Sequence, residues 1–393
     1  MKNILKNIDK PLLIVTLLLI TIGLINIFSA GNITAFMKYG ASPYRYFIKQ
    51  AVFIGASLIV ALIILPFHSK SYSFFSTIGI MVVAGALVFV RLFGDISNNA
   101  RSWLNFERFS IQPSEFAKII AIIWLAGYYE SHKDKLDRYL TALYPIAICV
   151  CLAILIFIQP DLGTTIIFSL IVAFMFFLSP VSKEIKGKIF FMVSCLLVIG
   201  AIAITSGVSI LNERQLKRMN FSDPCSVENF YGDGNQLCNS YIAINHGGFR
   251  GTGLGKSTQK YLYLPEAHTD FIFPIIVEEN GMIAAILLMT LYFALIGRVV
   301  KIAKDCYNSR GYLICMGVAA YILLHISVNL GGVMGLIPMT GVPLPFMSYG
   351  GSFAMCLILA LTFVQRINYE NITYREKKEE SSKKSNRLAK KYK

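Results

Sequence analysis

Four short stretches set ionisable or strongly polar side chains inside otherwise apolar sequence. An ionisable group at the edge of an apolar span is costly and marks a functional site by default. In Gln112-Pro113-Ser114-Glu115-Phe116-Ala117-Lys118, Pro113 suits the first turn of a helix, and Glu115 and Lys118, three apart, share one face. They form either a self-neutralising pair at a helix entrance or a cation offered to an anionic substrate, with Glu115 holding it. Gln159-Pro160-Asp161-Leu162-Gly163-Thr164-Thr165 divides two apolar blocks with almost no loop, so Asp161 either caps the next helix or faces a ligand. Leu264-Pro265-Glu266-Ala267-His268-Thr269-Asp270-Phe271 crowds Glu266, His268 and Asp270 into five residues. Thr269 can cap the following helix, so this density exceeds what capping needs and reads as a proton-transfer site. Glu278 and Glu279 follow one or more turns further in. Gly341-Val342-Pro343-Leu344-Pro345-Phe346-Met347-Ser348-Tyr349-Gly350-Gly351-Ser352 reads as a re-entrant loop lining a cavity, because non-helical backbone at membrane depth must be covered by protein or water. A purely structural loop is the alternative.

The elements that position these residues are apolar blocks of roughly 18 to 25 residues, each able to cross a hydrocarbon core of about 30 Å. The chain of 393 residues is 55% hydrophobic and 15% charged, against about 25% charged for a soluble domain. The expected fold is all-α and polytopic, with about ten transmembrane helices near 11–30, 46–66, 72–93, 113–129, 142–159, 164–181, 189–206, 271–297, 312–337 and 349–366. Placing the N-terminus inside puts Lys70, Lys133/Lys135/Arg138, Lys183/Lys186/Lys188 and Arg298/Lys301/Lys304/Arg310 in inner loops, as the positive-inside rule requires. An even number of spans then puts the C-terminus in the cytoplasm too. Residues 1–366 read as a single transmembrane domain with one large outer loop over 207–270, and 367–393 as a basic cytoplasmic tail. The first block follows Lys2, Lys6 and Lys10 and reads as an uncleaved helix, not a signal peptide.

The net charge of +15 does not point to nucleic acid. From Arg366 to Lys393 ten Lys/Arg face four Glu, so six of the fifteen surplus charges sit in the tail. No nucleic-acid motif accompanies them, and a tail beside anionic headgroups accounts for them. Of eight cysteines, six lie in apolar blocks or a short basic loop and read as inert. Cys225 and Cys238 flank one outer segment and can close a disulfide in an oxidising exterior; free thiols are the alternative. No cysteine or histidine cluster has zinc spacing.

With Asn99-Ala100-Arg101-Ser102-Trp103-Leu104 ahead of them, the four stretches resemble the signature segments of the SEDS family (shape, elongation, division and sporulation proteins). The likeness runs from the first span to the last. The run from Gly253 to His268 is more similar to the FtsW branch than to the RodA branch. Asn99 and Phe353 depart from the usual pattern.

That resemblance implies a peptidoglycan glycosyltransferase. A glycan carried on undecaprenyl diphosphate is joined to the 4-hydroxyl of a lipid II sugar, with inversion from an α to a β-1,4 link. It places the family's essential aspartate at Asp270, the expected general base. The expected substrate-binding residues are Arg101, Gln112, Glu115, Lys118, Gln159, Asp161, Glu266, His268, Thr269, Glu279 and Ser348, with Lys118 and Arg101 facing the leaving diphosphate. No metal ligands are assigned, and a divalent cation (Mg or Mn) bridging the diphosphate to Asp161, Glu278 or Glu279 stays open. The implied partners are a class B penicillin-binding transpeptidase and other division proteins, with no nucleic acid. The implied place is the bacterial inner membrane at the division septum. A lipid II flippase, a RodA-type elongation polymerase and a division scaffold are the alternatives.

Overall fold

The structure is a computed structural model that describes residues 2–97, 100–106, 109–193, 223–230, 232 and 234–391. After a short helical turn at Lys2–Lys6, the helices are α1 (Lys10–Tyr39), α2 (Arg45–Ile64), α3 (Ser69–Phe93), α4 (Pro113–Ser131), α5 (Tyr139–Phe157), α6 (Leu162–Leu178), α7 (Asn235–Gly247), α8 (Ile272–Lys304), α9 (Ser309–Val333) and α10 (Gly351–Lys391). A further helix covers 183–193. Nine of the ten expected spans coincide with described helices. The remaining one, 189–206, is described only to residue 193, and 194–206 lie outside the described residues.

Among the described residues, seven helices are long and apolar enough to cross a membrane: α1, α2, α3, α5, α8, α9 and α10. The chain is an all-α, multi-pass membrane protein. Helix α6 falls short at 17 residues, and α4 carries the Glu115–Lys118 pair in its first turns. In α9, 72% of the apolar window is buried in protein, against 17% in α2. Helix α9 is therefore a central post, and α2 presents most of its surface outward.

The helix ends sort into two levels. At one end, Arg298 donates to Asp9, whose backbone N–H donates to Gln365 (2.8 Å). The Ser69 hydroxyl donates to Glu370 (2.6 Å), and Arg375 pairs with Asp305 (2.8 Å). The chain start, the loop before α3, the loop after α8 and the far part of α10 therefore meet, as the charge pattern anticipates for one membrane face. Burial alone raises the Asp9 carboxyl pKa, but the Arg298 hydrogen bond and charge, the Leu12 N–H and Lys301 outweigh it and hold the group below its usual range. The expected boundary between membrane domain and tail at 366/367 lies within α10, whose packing continues through buried Asn371.

At the opposite end lies a small antiparallel sheet of β1 (Asp95–Ser97), β2 (Ala100–Phe106) and β3 (Phe109–Ile111), in register at Asp95↔Trp103 and Leu104↔Ile111. Of the expected outer loop 207–270, residues 207–222, 231 and 233 lie outside the described residues; the part from 223 that ends in α7 also packs here, against a break in α8. Gly281 takes φ +79° inside α8, and a Cβ there would lie 2.3 Å from the Phe249 carbonyl oxygen. Residues 248–253 fill the break. Met282 N–H donates to Gly248 O (2.9 Å), and Thr252 and Gly253 N–H donate to Glu278 O and Glu279 O (both 2.9 Å). The interruption thus leaves these backbone groups satisfied, which a membrane helix requires.

Two adjacent carboxylates lock this junction. Glu278 accepts from the hydroxyls of Ser257 and Thr258 and lies 3.0 Å from His246 Nδ1. Glu279 pairs with Lys260 (2.8 Å) and accepts from Ser29 of α1, and both members of the ion pair are 1% exposed. Breaking such a pair strands a buried charge at a cost of about 3–5 kcal/mol, whereas replacing both members by apolar residues is often neutral. Lys260→Ala is expected to lower the denaturation midpoint in detergent markedly, and Lys260→Met combined with Glu279→Leu to recover most of the loss. Equal midpoints for wild type and Lys260→Ala would remove the pair from the stability account.

Candidate active site

Successive turns over 264–271 deliver Asp270 to the mouth of α8. Ala267 N–H donates to Leu264 O (3.2 Å), and Thr269 and Phe271 N–H both donate to Glu266 O (3.1 and 3.2 Å). Phe271 is the N-cap of α8, and its own side chain makes no capping hydrogen bond. The Thr269 hydroxyl lies 2.9 Å from Glu266 Oε2 and 3.0 Å from Asp270 Oδ1, which gathers two carboxylates around one hydroxyl. Asp270 is half-buried.

The loop 341–350 faces this turn. Gly341 adopts φ +68°, and a Cβ there would lie 3.8 Å from Asp270 Oδ2, so the carboxyl rests over a bare stretch of backbone. Ser348 is buried and closes the loop on itself, accepting from Leu344 N–H (2.7 Å) while its own N–H donates to Leu344 O (3.0 Å). Tyr349 N–H donates to His268 O (2.9 Å), and Gly350 N–H donates to Gln50 Oε1 of α2 (3.1 Å). The Tyr292 hydroxyl donates to Pro345 O. A Cβ on Gly23 of α1 would lie 2.0 Å from Phe346 O, so only glycine lets α1 approach the loop this closely. The non-helical stretch expected from the sequence is present, held by α1, α2, α8 and α9.

Beneath the loop sits a buried charge network. Lys118 Nζ lies 2.7 Å from Glu115 Oε1 and 2.9 Å from His325 Nε2, and the Tyr321 hydroxyl donates to Glu115 Oε2 (3.3 Å). An ammonium offers only donors, so His325 accepts through Nε2 and carries its proton on Nδ1. That nitrogen faces Pro343 O at 3.4 Å. Phe353, one of the two departures from the family pattern, stacks on His325 with ring centroids 4.5 Å apart. The other, Asn99, lies outside the described residues.

Gln112 and Asp161 also meet, with Gln112 Nε2 donating to Asp161 Oδ2 (3.0 Å). The second Asp161 oxygen accepts from Thr164 N–H (3.0 Å), so this residue does cap α6 while tying it to the start of α4. Gln112 N–H donates to Ser352 Oγ at the start of α10 (3.1 Å). Arg101 lies on β2, half-buried, and its guanidinium makes no ion pair or hydrogen bond with a described residue.

Among the expected site residues, Glu266, Thr269 and Asp270 are in direct contact, and His268 and Ser348 join them through the loop. Glu115 and Lys118 reach the loop through His325. Gln159 instead donates to Leu87 O (2.9 Å), and Glu279 belongs to the Lys260 junction. The sequence reading missed His325 and Asn329, which lie four apart on α9. Two polar residues with helical spacing inside an apolar span were the available signal. Among the described residues, no three His, Cys, Asp or Glu side chains gather closely enough to hold a metal ion. Asp161, Glu278 and Glu279, the carboxylates left open above for a bridging cation, already have protein partners and do not gather as a ligand set.

The family model for the cell cycle proteins FtsW, RodA and SpoVE matches residues 10–373. The probable peptidoglycan glycosyltransferase FtsW of Bacillus subtilis (strain 168) is 35% identical over 378 residues, covering 94% of this chain and 92% of its own. Its counterpart from Coxiella burnetii (strain RSA 493 / Nine Mile phase I) is 33% identical over 372 residues, with 92% and 96% covered. Among solved structures, a chain from work on how a peptidoglycan synthase complex coordinates polymerization and crosslinking superposes with a TM-score of 0.74, at 21% identity and with 93% and 98% covered. The rod shape determining protein RodA of Thermus thermophilus superposes with a TM-score of 0.65, at 21% identity and with 93% and 97% covered.

His268 turns away from the carboxylates. Its ring lies 4.1 Å from that of Tyr46 and 5.8 Å from that of Tyr349, and Nδ1 is buried without a partner among the described residues. Burial first, and the Lys38 charge second, push its pKa down to about 4. A histidine held neutral in the fold takes up a proton more readily when unfolded. Stability is therefore unaffected above the ordinary value near 6.5 and is lost as pH falls from there toward 4, by about 2 kcal/mol at pH 5. His268→Phe, which keeps an aromatic ring without titrating, is expected to flatten the fall in denaturation midpoint between pH 7 and pH 5. An unchanged fall would assign it to other groups.

Proposed function

Because the chain belongs to the FtsW/RodA/SpoVE family of cell cycle proteins, we propose that it is a peptidoglycan glycosyltransferase that polymerises lipid II, with Asp270 as the general base. The observation that carries this reading is the setting of Asp270. It is a half-buried carboxyl at the entrance to α8, placed where the motif turn meets the 341–350 loop, with its Oδ2 over Gly341.

In this reading the Asp270 carboxylate takes the proton from the 4-hydroxyl of the acceptor sugar as that oxygen attacks the anomeric carbon of the donor. The new C–O bond forms on the face opposite the departing diphosphate, which leaves with the bonding pair on its undecaprenyl carrier. An α link is thereby converted to a β link. Thr269 orients the carboxyl by donating its hydroxyl proton to Asp270 Oδ1, with Glu266 Oε2 against the same hydroxyl. A general base contributes about 10²–10⁴-fold to such a step.

The leaving group gathers negative charge, and a positioned cation lowers the barrier where that charge develops. Arg101 has a free guanidinium among the described residues and is suited to meet the diphosphate directly. Lys118 is 0% exposed and held by Glu115 and His325, so it acts as a fixed positive charge beneath the loop and does not reach the substrate. The prenyl chain remains among lipids while the sugars reach the motif end of the bundle. The fuller identity with FtsW relatives supports a division role at the septum, beside a transpeptidase with one membrane anchor. The motif end would then face outward, and the disulfide between Cys225 and Cys238, whose Cα atoms are 5.1 Å apart, would form in the oxidising exterior.

Purified full-length protein, assayed on lipid II in detergent with and without such a transpeptidase, is expected to build polymer. Asp270→Ala and Asp270→Asn are expected to lose at least about a hundredfold in rate while eluting as wild type does. Normal polymer from either variant would remove Asp270 from the mechanism. Movement of labelled lipid II across vesicles without polymer would favour a flippase.

A further inference from the structure

One carboxamide joins the two segments that face each other across the candidate site. Asn329 Nδ2 donates to the backbone carbonyl of Asp270 and to that of Val342, each at 2.7 Å. A primary amide nitrogen carries two protons, and here each is committed to a different segment. The orientation follows from the partners, since turning the amide over would aim Oδ1 at two carbonyl oxygens. As placed, Oδ1 is buried without a partner among the described residues. An orphaned buried acceptor is destabilising, and a packed apolar side chain would avoid it. Its presence fits a residue whose value lies in its two donors.

The neighbouring turn repeats the arrangement. His325, four residues earlier, directs Nδ1–H at Pro343 O while Nε2 faces Lys118. Helix α9 is, with α10, among the most enclosed helices near the site, so groups fixed to it have little freedom to shift. Gly341 and Asp270 Oδ2 lie side by side between the two carbonyls that Asn329 holds.

We propose that Asn329 is a positioning residue for the reaction, clamping the Asp270 and Val342 carbonyls so that the Asp270 carboxyl is held over Gly341, with His325 bracing the same loop at Pro343. The proposal rests on the reading of Asp270 as base. Asn329 acts through Asp270 and touches no substrate.

The test uses full-length protein carrying Asn329→Leu, which keeps the size and loses both donors, and Asn329→Asp, which keeps the shape and loses them. Polymerisation kinetics on lipid II are expected to show kcat falling at least about tenfold, with KM within about threefold, because orientation is lost and binding is not. Hydrogen exchange is expected to quicken together in peptides covering 268–272 and 342–350, and to stay unchanged in 235–247. Unchanged exchange in both site segments, faster exchange throughout, or a change in KM alone would overturn the proposal. The exchange result stands apart from the chemistry. If Asp270→Ala kept its polymer, the assignment of the base would fall, while paired loosening would still establish the clamp.

Discussion

Inside a bilayer a peptide group without a partner costs several kcal/mol, so any departure from continuous helix must be repaired by another part of the protein. This chain departs twice near the candidate site, at Gly281 within α8 and along 341–350 between α9 and α10. Residues 248–253 supply partners for the first interruption. Side chains from α2, α8 and α9 supply partners for the second. The polar groups that make chemistry feasible at this depth are largely the ones that keep the backbone satisfied.

The same constraint separates the charged residues by task. Glu279 with Lys260 and Glu115 with Lys118 are buried pairs that neutralise each other; the first fastens the 255–260 turn to α8, and the second, within α4, reaches α9 through His325 and Tyr321. Asp270 and Arg101 are half-buried and lie on a turn and a strand, away from helix interiors. The residues best suited to meet a substrate are thus carried by non-helical backbone, while the paired ones lie beneath or beside it.

Hydropathy was enough to locate nine of the numbered helices, because roughly 20 apolar residues in a row have few other uses, but it missed α7, a short polar helix in the expected outer loop. Motif spacing brought out the Glu115–Lys118 pair and the 264–271 turn, because those contacts are local in sequence. What escaped was non-local. Nothing near Glu279 in the chain announces that Lys260 and Ser29 will surround it, or that Gln159 Nε2 will donate to Leu87 O. His325 and Asn329 were overlooked because they are single polar residues in an apolar helix, and their targets lie on two other segments. Asp161 could be read equally as cap or contact, and the structure has it capping α6 while holding Gln112.

Helix α10 runs without interruption from Gly351, beside the candidate site, to Lys391. At 1.5 Å per residue its 41 residues extend about 60 Å, twice the thickness of a hydrocarbon core. Its first turn holds Gln112 and Ser110 through Ser352, and its far half grips Ser69 and Asp305. A single rod of this kind cannot tilt or slide at one membrane face without doing so at the other. Whatever takes hold of the basic end in the aqueous phase therefore has a mechanical line to Ser110 and to the start of α4.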